Sequence, residues 1–218
     1  MSHASAGIVI DDFTQIGTPD PWPVFTTEQG TTNINEGLFN DANVIGGVRD
    51  TFITGDGFDA EGLDSIFVAI APDVDNGLLD FASSVGAAGS LELVYGFGGN
   101  DLNADFSGEA GIEILFDAFD FANAFELGIM VELTSNGDSQ FLTGQLTESG
   151  AQTATLLFDF EEGGVFDIAD VDRISIEFDG GIGTDFRIDE IRTVVPSPAA
   201  WLVLTTGVIA RKRRRRND

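Results

Sequence analysis

The chain has 218 residues, 37 acidic against 10 basic, a formal net charge of −27 and no cysteine. A surface this acidic repels a phosphate backbone, so nucleic acid is excluded as a partner; without cysteine there is no thiol catalysis, zinc–thiolate site or iron–sulfur cluster. The single histidine, His3, lies in the first residues, and no GxSxG, HExxH or phosphate loop is present, so the chain is read as non-enzymatic.

In chain order, Met1-Ser2-His3 lacks the apolar stretch of a secretory leader, yet Ala4-Ser5-Ala6 has the small-x-small form of a cleavage site. Residues 1–6 are therefore expected to be the remnant of a cleavage region, with the true start upstream and the mature chain beginning near Gly7. Gly7–Phe13 is a short β-branched strand, and Thr18–Pro23, with three prolines, is a loop or edge. Strands are predicted at Val44–Thr54, Ser65–Ala71, Leu78–Ser83, Ser90–Phe97, Gly111–Phe116, Phe125–Thr134, Gln140–Leu146, Ala151–Phe160, Arg173–Phe178 and Asp185–Val194. The clearest alternation sets Leu91, Leu93 and Tyr95 against Glu92 and Val94, and Ile174, Ile176 and Phe178 against Arg173, Ser175 and Glu177. Asp117–Ala124 is expected to hold one helical turn. Gly, Asn and Asp clusters separate the runs. The 19 phenylalanines then become filling between two sheets. The fold class is all-β: an antiparallel jelly-roll-like β-sandwich over residues 7–193, followed by a short C-terminal hydrophobic helix.

Residues 194–218 have a different composition. Pro196, Ser197 and Pro198 form a stiff break, residues 199–210 are apolar, and Arg211, Lys212, Arg213, Arg214, Arg215 and Arg216 close the chain with six cations. A short apolar segment followed by a basic cluster enters a bilayer and holds its end on the cytoplasmic side. Up to Ala210 the basic residues are only Arg49, Arg173, Arg187 and Arg192. The tail resembles the PEP-CTERM sorting signal of Gram-negative-type bacteria, with Ser197 where the name-giving motif has Glu. The resemblance implies processing by an exosortase-type membrane enzyme, a membrane-tethered precursor, and delivery to the cell surface or to an exopolysaccharide matrix.

The body opens on Ile10-Asp11-Asp12-Phe13, closes on Asp185–Ile191 (DFRIDEI), and carries DLNADFSGEAGIEILFD between Asp101 and Asp117. These segments resemble galactose-binding-like and carbohydrate-binding-module jelly rolls. The resemblance implies a structural calcium where first and last strands meet, with Asp11, Asp12 and Asp189 as carboxylate ligands. Calcium takes six to eight oxygens, so backbone carbonyls would complete the set. A glycan site needs an exposed aromatic platform beside polar side chains; the candidates are Trp22 in its Pro-bounded loop, Tyr95 and Arg49. The acidic run Asp101–Asp105 starts like a calcium loop, but Phe106 stands where the sharp-turn glycine is required, and the run is read as a turn. The same reading covers Asp56, Asp59, Glu61 and Asp64, and Asp73 and Asp75. Two functions follow: an exported, non-enzymatic surface or matrix protein, or a module that binds a specific glycan.

Overall fold

A computed structural model describes residues 7–14, 23–26, 30–38, 44–58, 65–71, 77–99, 101–121, 126–159 and 165–196. The N-terminal remnant, Trp22, the acidic positions Asp59, Glu61, Asp64, Asp73 and Asp75, and the tail from Ser197 onward lie outside them.

The described strands are β1 (Val9–Asp11), β2 (Val24–Thr26), β3 (Gly30–Leu38), β4 (Val48–Phe58), β5 (Ile66–Ala71), β6 (Leu78–Ser83) and β7 (Ala87–Tyr95) in the first half. The second half adds β8 (Gly111–Phe121), β9 (Leu127–Ser135), β10 (Asp138–Leu146), β11 (Gln152–Leu157), β12 (Arg173–Gly180) and β13 (Thr184–Val194). They form two antiparallel sheets. The seven-stranded sheet has the order β11-β8-β13-β6-β5-β2, with β1 also paired to β13; the six-stranded sheet has the order β10-β9-β12-β7-β4-β3.

Alternation along each strand decides which face is dry. In β7 the inward Leu91, Leu93 and Tyr95 are fully buried, and in β12 so are Ile174, Ile176 and Phe178. Phenylalanines join the sheets at the centre. Phe81 stacks on Phe186 at 4.7 Å between ring centroids, Phe178 comes within 5.3 Å of Phe186 from the opposite sheet, and Phe116 meets Phe178 edge-on at 6.1 Å. Such aromatic pairs add about 0.5–1.5 kcal/mol beyond the area they bury.

Two sequence expectations are corrected here. Asp117 to Phe121 is not helical but continues β8, because Phe119 alternates inward with Asp120 outward and the strand pairs along β13. The glycine pair Gly46-Gly47 does not lie in a strand but in a tight turn, Ile45–Gly47, where both glycines have a φ of 68°. The strand Gly30–Leu38 is not legible in the sequence; its Gly-Thr-Thr-Asn-Ile-Asn-Glu composition hides it, and pairing with β4 makes it.

Candidate functional site: the outer face of the six-stranded sheet

The residues expected to form a site occupy different places. Asp11, Arg49 and Tyr95 are all 0% exposed. Arg49 Nη1 lies 2.5 Å from Asp11 Oδ2, and Tyr95 Oη donates to the same oxygen at 3.0 Å. The Phe13 amide donates to Asp11 Oδ1 at 2.9 Å, Phe13 itself having a φ of 53°. The Arg49 guanidinium sits 5.3 Å from the Phe13 ring centroid, a cation–π contact. This cluster ties β1 to β4 and β7 across the sandwich. Burial pushes the Asp11 carboxyl up, while Arg49, the Phe13 amide and Tyr95 pull it back down. A sugar platform must face solvent, so Arg49 and Tyr95 are corrected from ligand contacts to core groups. Trp22 lies outside the described residues.

The structure also divides the calcium set, taking Asp11 into the core and leaving Asp12 close enough to Asp189 for their charges to interact. Both Asp11 oxygens are used inside the core. Asp12 Oδ1 accepts from the Thr14 amide and hydroxyl at 3.1 and 2.6 Å, an ordinary turn arrangement. Asp189 sits where β13 and β8 shift register, facing Asp117, and burial together with the charges of Asp117 and Asp12 raises its carboxyl. Among the described residues no group of three or more His, Cys, Asp or Glu side chains is arranged to hold a metal. The turn reading of Asp105 holds: its carboxylate accepts from the Ser107 amide at 2.9 Å.

The structure assembles a different constellation. Outward positions of the central strands fall into one transverse row, set by register: Met130 on β9, Glu177 on β12, Glu92 on β7 and Phe52 on β4. All four are at least partly exposed, Met130 at 38%. The ends of the row are apolar. Phe97 stands edge-on to Phe52 at 5.7 Å and is 39% exposed, while Phe141, 56% exposed, sits on β10 next to β9. Gly96 makes the Phe52–Phe97 contact reachable. Its φ of 81° turns the chain out of β7, and a Cβ there would lie 2.3 Å from the Asp172 carbonyl oxygen.

The middle of the row is polar and charged. Ser175 Oγ donates to Glu92 Oε1 at 2.5 Å, and Arg173 Nη2 donates to Glu132 Oε2 at 2.7 Å. Glu177 is directly opposite Glu92, a like-charge pair that a sheet disfavours. Burial raises the Glu177 carboxyl most, and the charges of Glu92, Asp179 and Asp56 add to it. At 4.7–4.9 Å per strand step, Met130 and Phe52 are about 14 Å apart; Phe141 lies one strand beyond β9 but opposite Glu132, two residues off the row.

No protein-family model matches the sequence, and no curated protein matches it. Several solved structures are similar in fold. One is the family 11 carbohydrate-binding module of the cellulosomal cellulase Lic26A-Cel5E of Clostridium thermocellum, 13% identical, covering 88% of this chain and 96% of that one with a TM-score of 0.45. Another is the solution structure of CtCBM11, 15% identical, covering 90% and 99% with a TM-score of 0.46. A third, a module specific for non-crystalline cellulose (CBM28), is 10% identical and covers 59% and 82% with a TM-score of 0.37. At these identities and scores the likeness assigns neither a family nor a ligand.

Glu92, Glu177, Phe52 and Met130 were not singled out by the sequence. The outward phase of Glu92 and Glu177 is legible in their strands. Their adjacency is a matter of register between segments more than 80 residues apart, and alternation does not carry it.

Proposed function

We propose that the protein is a non-catalytic glycan-binding module, and that a polysaccharide without acidic groups lies across the strands of the six-stranded sheet. The carrying observation is the row Met130, Glu177, Glu92, Phe52: apolar ends and a hydrogen-bonding centre on one partly exposed face. A sugar ring has apolar C–H faces for Phe52, Phe97 and Met130, and hydroxyl donors for carboxylate acceptors. The carboxylates disfavour uronic or sulfated chains by like-charge repulsion. Ser175 fixes the Glu92 carboxylate before any ligand arrives, which lowers the ordering cost of binding.

A glycan array followed by titration calorimetry tests this. Saturable binding to a neutral polysaccharide is expected, with no new reducing ends released. Glu92→Ala and Phe52→Ala should each weaken it by about tenfold or more, the worth of one hydrogen bond to a charged group or one aromatic contact with its ligand. The reading fails if no glycan binds, or if binding survives both substitutions.

The tail supports a place for this activity. An apolar stretch over residues 199–210 followed by Arg211–Arg216 fits delivery to the cell surface by an exosortase-type enzyme, where polysaccharide would be met. Mass spectrometry of surface material should then find the chain without its basic end; an intact C-terminus on the mature protein would remove this part of the reading.

A further inference from the structure

The opposite face of the sandwich carries a hollow of about 340 Å³ on the seven-stranded sheet. Its floor follows from small side chains at two outward positions, Ala82 on β6 and Ala118 on β8. One wall is the ring of Phe67 on β5. The other is the pair Asp185 on β13 and Asp120 on β8. Register places them in one line, Phe67 beside Ala82, Ala82 beside Asp185, Asp185 beside Asp120. Phe67 and Asp185 therefore flank Ala82 on the same sheet face, one intervening strand apart, about 10 Å between strand axes.

The polar atoms are nearly all acceptors. Arg187, at the edge of the hollow, is committed: Nε donates to Asp80 Oδ1 at 2.7 Å and Nη1 to Asp117 Oδ2 at 3.2 Å. Asp120 Oδ1 accepts from the Phe121 amide at 2.8 Å and the Ser149 hydroxyl at 3.2 Å, and Asp185 Oδ1 accepts from the Ser83 amide at 3.2 Å. Each anchoring bond uses Oδ1, so each carboxylate is fixed in orientation while its Oδ2 takes no hydrogen bond from the described residues. Two carboxylates directly opposed on neighbouring strands destabilise the sheet. Burial raises the Asp185 carboxyl, and the charge of Asp120 raises it further. A group that suits this hollow is cationic, has an apolar skin for Phe67 and the alanines, and needs no acceptor from it.

We propose that the hollow binds an alkylated ammonium group, held between the Phe67 ring face and the Asp185–Asp120 carboxylates. The site is on the other sheet from the glycan row and does not rest on the glycan reading. The attraction has two parts, the charge of the carboxylates and the quadrupole of the ring, and a neutral ligand of the same shape loses both.

The test uses choline chloride as probe on the full chain, read by amide NMR shifts. Its uncharged isostere 3,3-dimethyl-1-butanol and sodium chloride at equal ionic strength are the controls. Choline should give saturable shifts at Phe67, Ala82, Ala118 and Asp185, and neither control should reproduce them. Phe67→Ala and Asp185→Asn should each weaken choline on the order of fivefold, with the rest of the spectrum unchanged as the check of folding. If the isostere or sodium gives the same shifts, if the shifts fall elsewhere, or if both variants bind choline as the parent does, the assignment is overturned. If Phe67→Ala alone fails to fold, Asp185→Asn decides.

Discussion

A buried charge is stable only with its partner. Arg49 and Asp11 are both closed to water, and the Tyr95 hydroxyl and the Phe13 amide also donate to the Asp11 carboxylate. Replacing Arg49 with Met leaves the Asp11 carboxylate in the core without a counter-charge, and loss of about 3–5 kcal/mol is expected. The double variant Arg49→Met with Asp11→Asn should recover part of that loss. Urea denaturation of the parent, both single variants and the double measures the coupling; a single-variant loss under about 1 kcal/mol would show that the pair is not buried as described. Glu177 gives the opposite sign. Its carboxyl is raised above the ordinary value of 4.5, by burial first and then by Glu92, Asp179 and Asp56. Its contribution to stability is therefore full below the ordinary carboxyl range and is lost as pH rises through the folded-state value. Glu177→Gln should raise Tm at pH 7, and the gain should shrink toward zero below about pH 4. An equal gain at both pH values would count against charge as the cause.

At the scale of strands, Gly89 sets how closely the sheets approach. A Cβ on Gly89 would lie 2.2 Å from the Thr54 carbonyl oxygen on β4 and 2.4 Å from Ile66 Cδ1 on β5, which belongs to the other sheet. Gly89→Ala must push the sheets apart or bend β7, at about 1–3 kcal/mol. Gly108, where nothing lies within 4 Å, is the control and should tolerate Ala within about 0.5 kcal/mol; equal melting temperatures for the two variants would contradict the close approach. This constraint also marks how far the sequence could be read. Strands such as β7 and β12 were legible because one face is wholly apolar and the other is not. The strand β3 was not, since its residues fit a loop as well as an edge strand and only the partner β4 decides. The same limit applied to the site. That Asp11 faces inward follows from Arg49 lying opposite it, 38 residues away; the local Ile-Asp-Asp-Phe pattern is equally compatible with a solvent-facing ligand. The outward glutamates were visible one strand at a time, but the row they make exists only after the strands are ordered.

The whole molecule is dominated by one sign of charge. The four arginines of the body are already paired: Arg49 with Asp11, Arg173 with Glu132, Arg187 with Asp80 and Asp117, Arg192 with Glu113 and Glu190. Four arginines stand against 36 acids up to Ala210, so the body keeps a large excess of negative charge, and the outer faces of both sheets carry like-charge neighbours, Glu177 beside Glu92 and Asp185 beside Asp120. Salt acts on attraction and repulsion alike, so the balance fixes the sign. Arg49–Asp11 is buried, whereas the pairs of Arg173, Arg187 and Arg192 are partly exposed and each contributes about 0–1 kcal/mol. The repulsions are more numerous and long-ranged, and they weaken as the Debye length falls from about 30 Å at 0.01 M to about 10 Å at 0.1 M. Melting temperature should therefore rise with sodium chloride over that range and flatten above it. Calcium and magnesium compared at one ionic strength separate screening from a built site. Screening raises Tm equally with both, whereas a cage of fixed oxygens favours calcium. A Tm that falls with added sodium chloride would mean that the partly exposed arginine pairs outweigh the excess of negative charge, and the account of this surface as a self-repelling one would not stand.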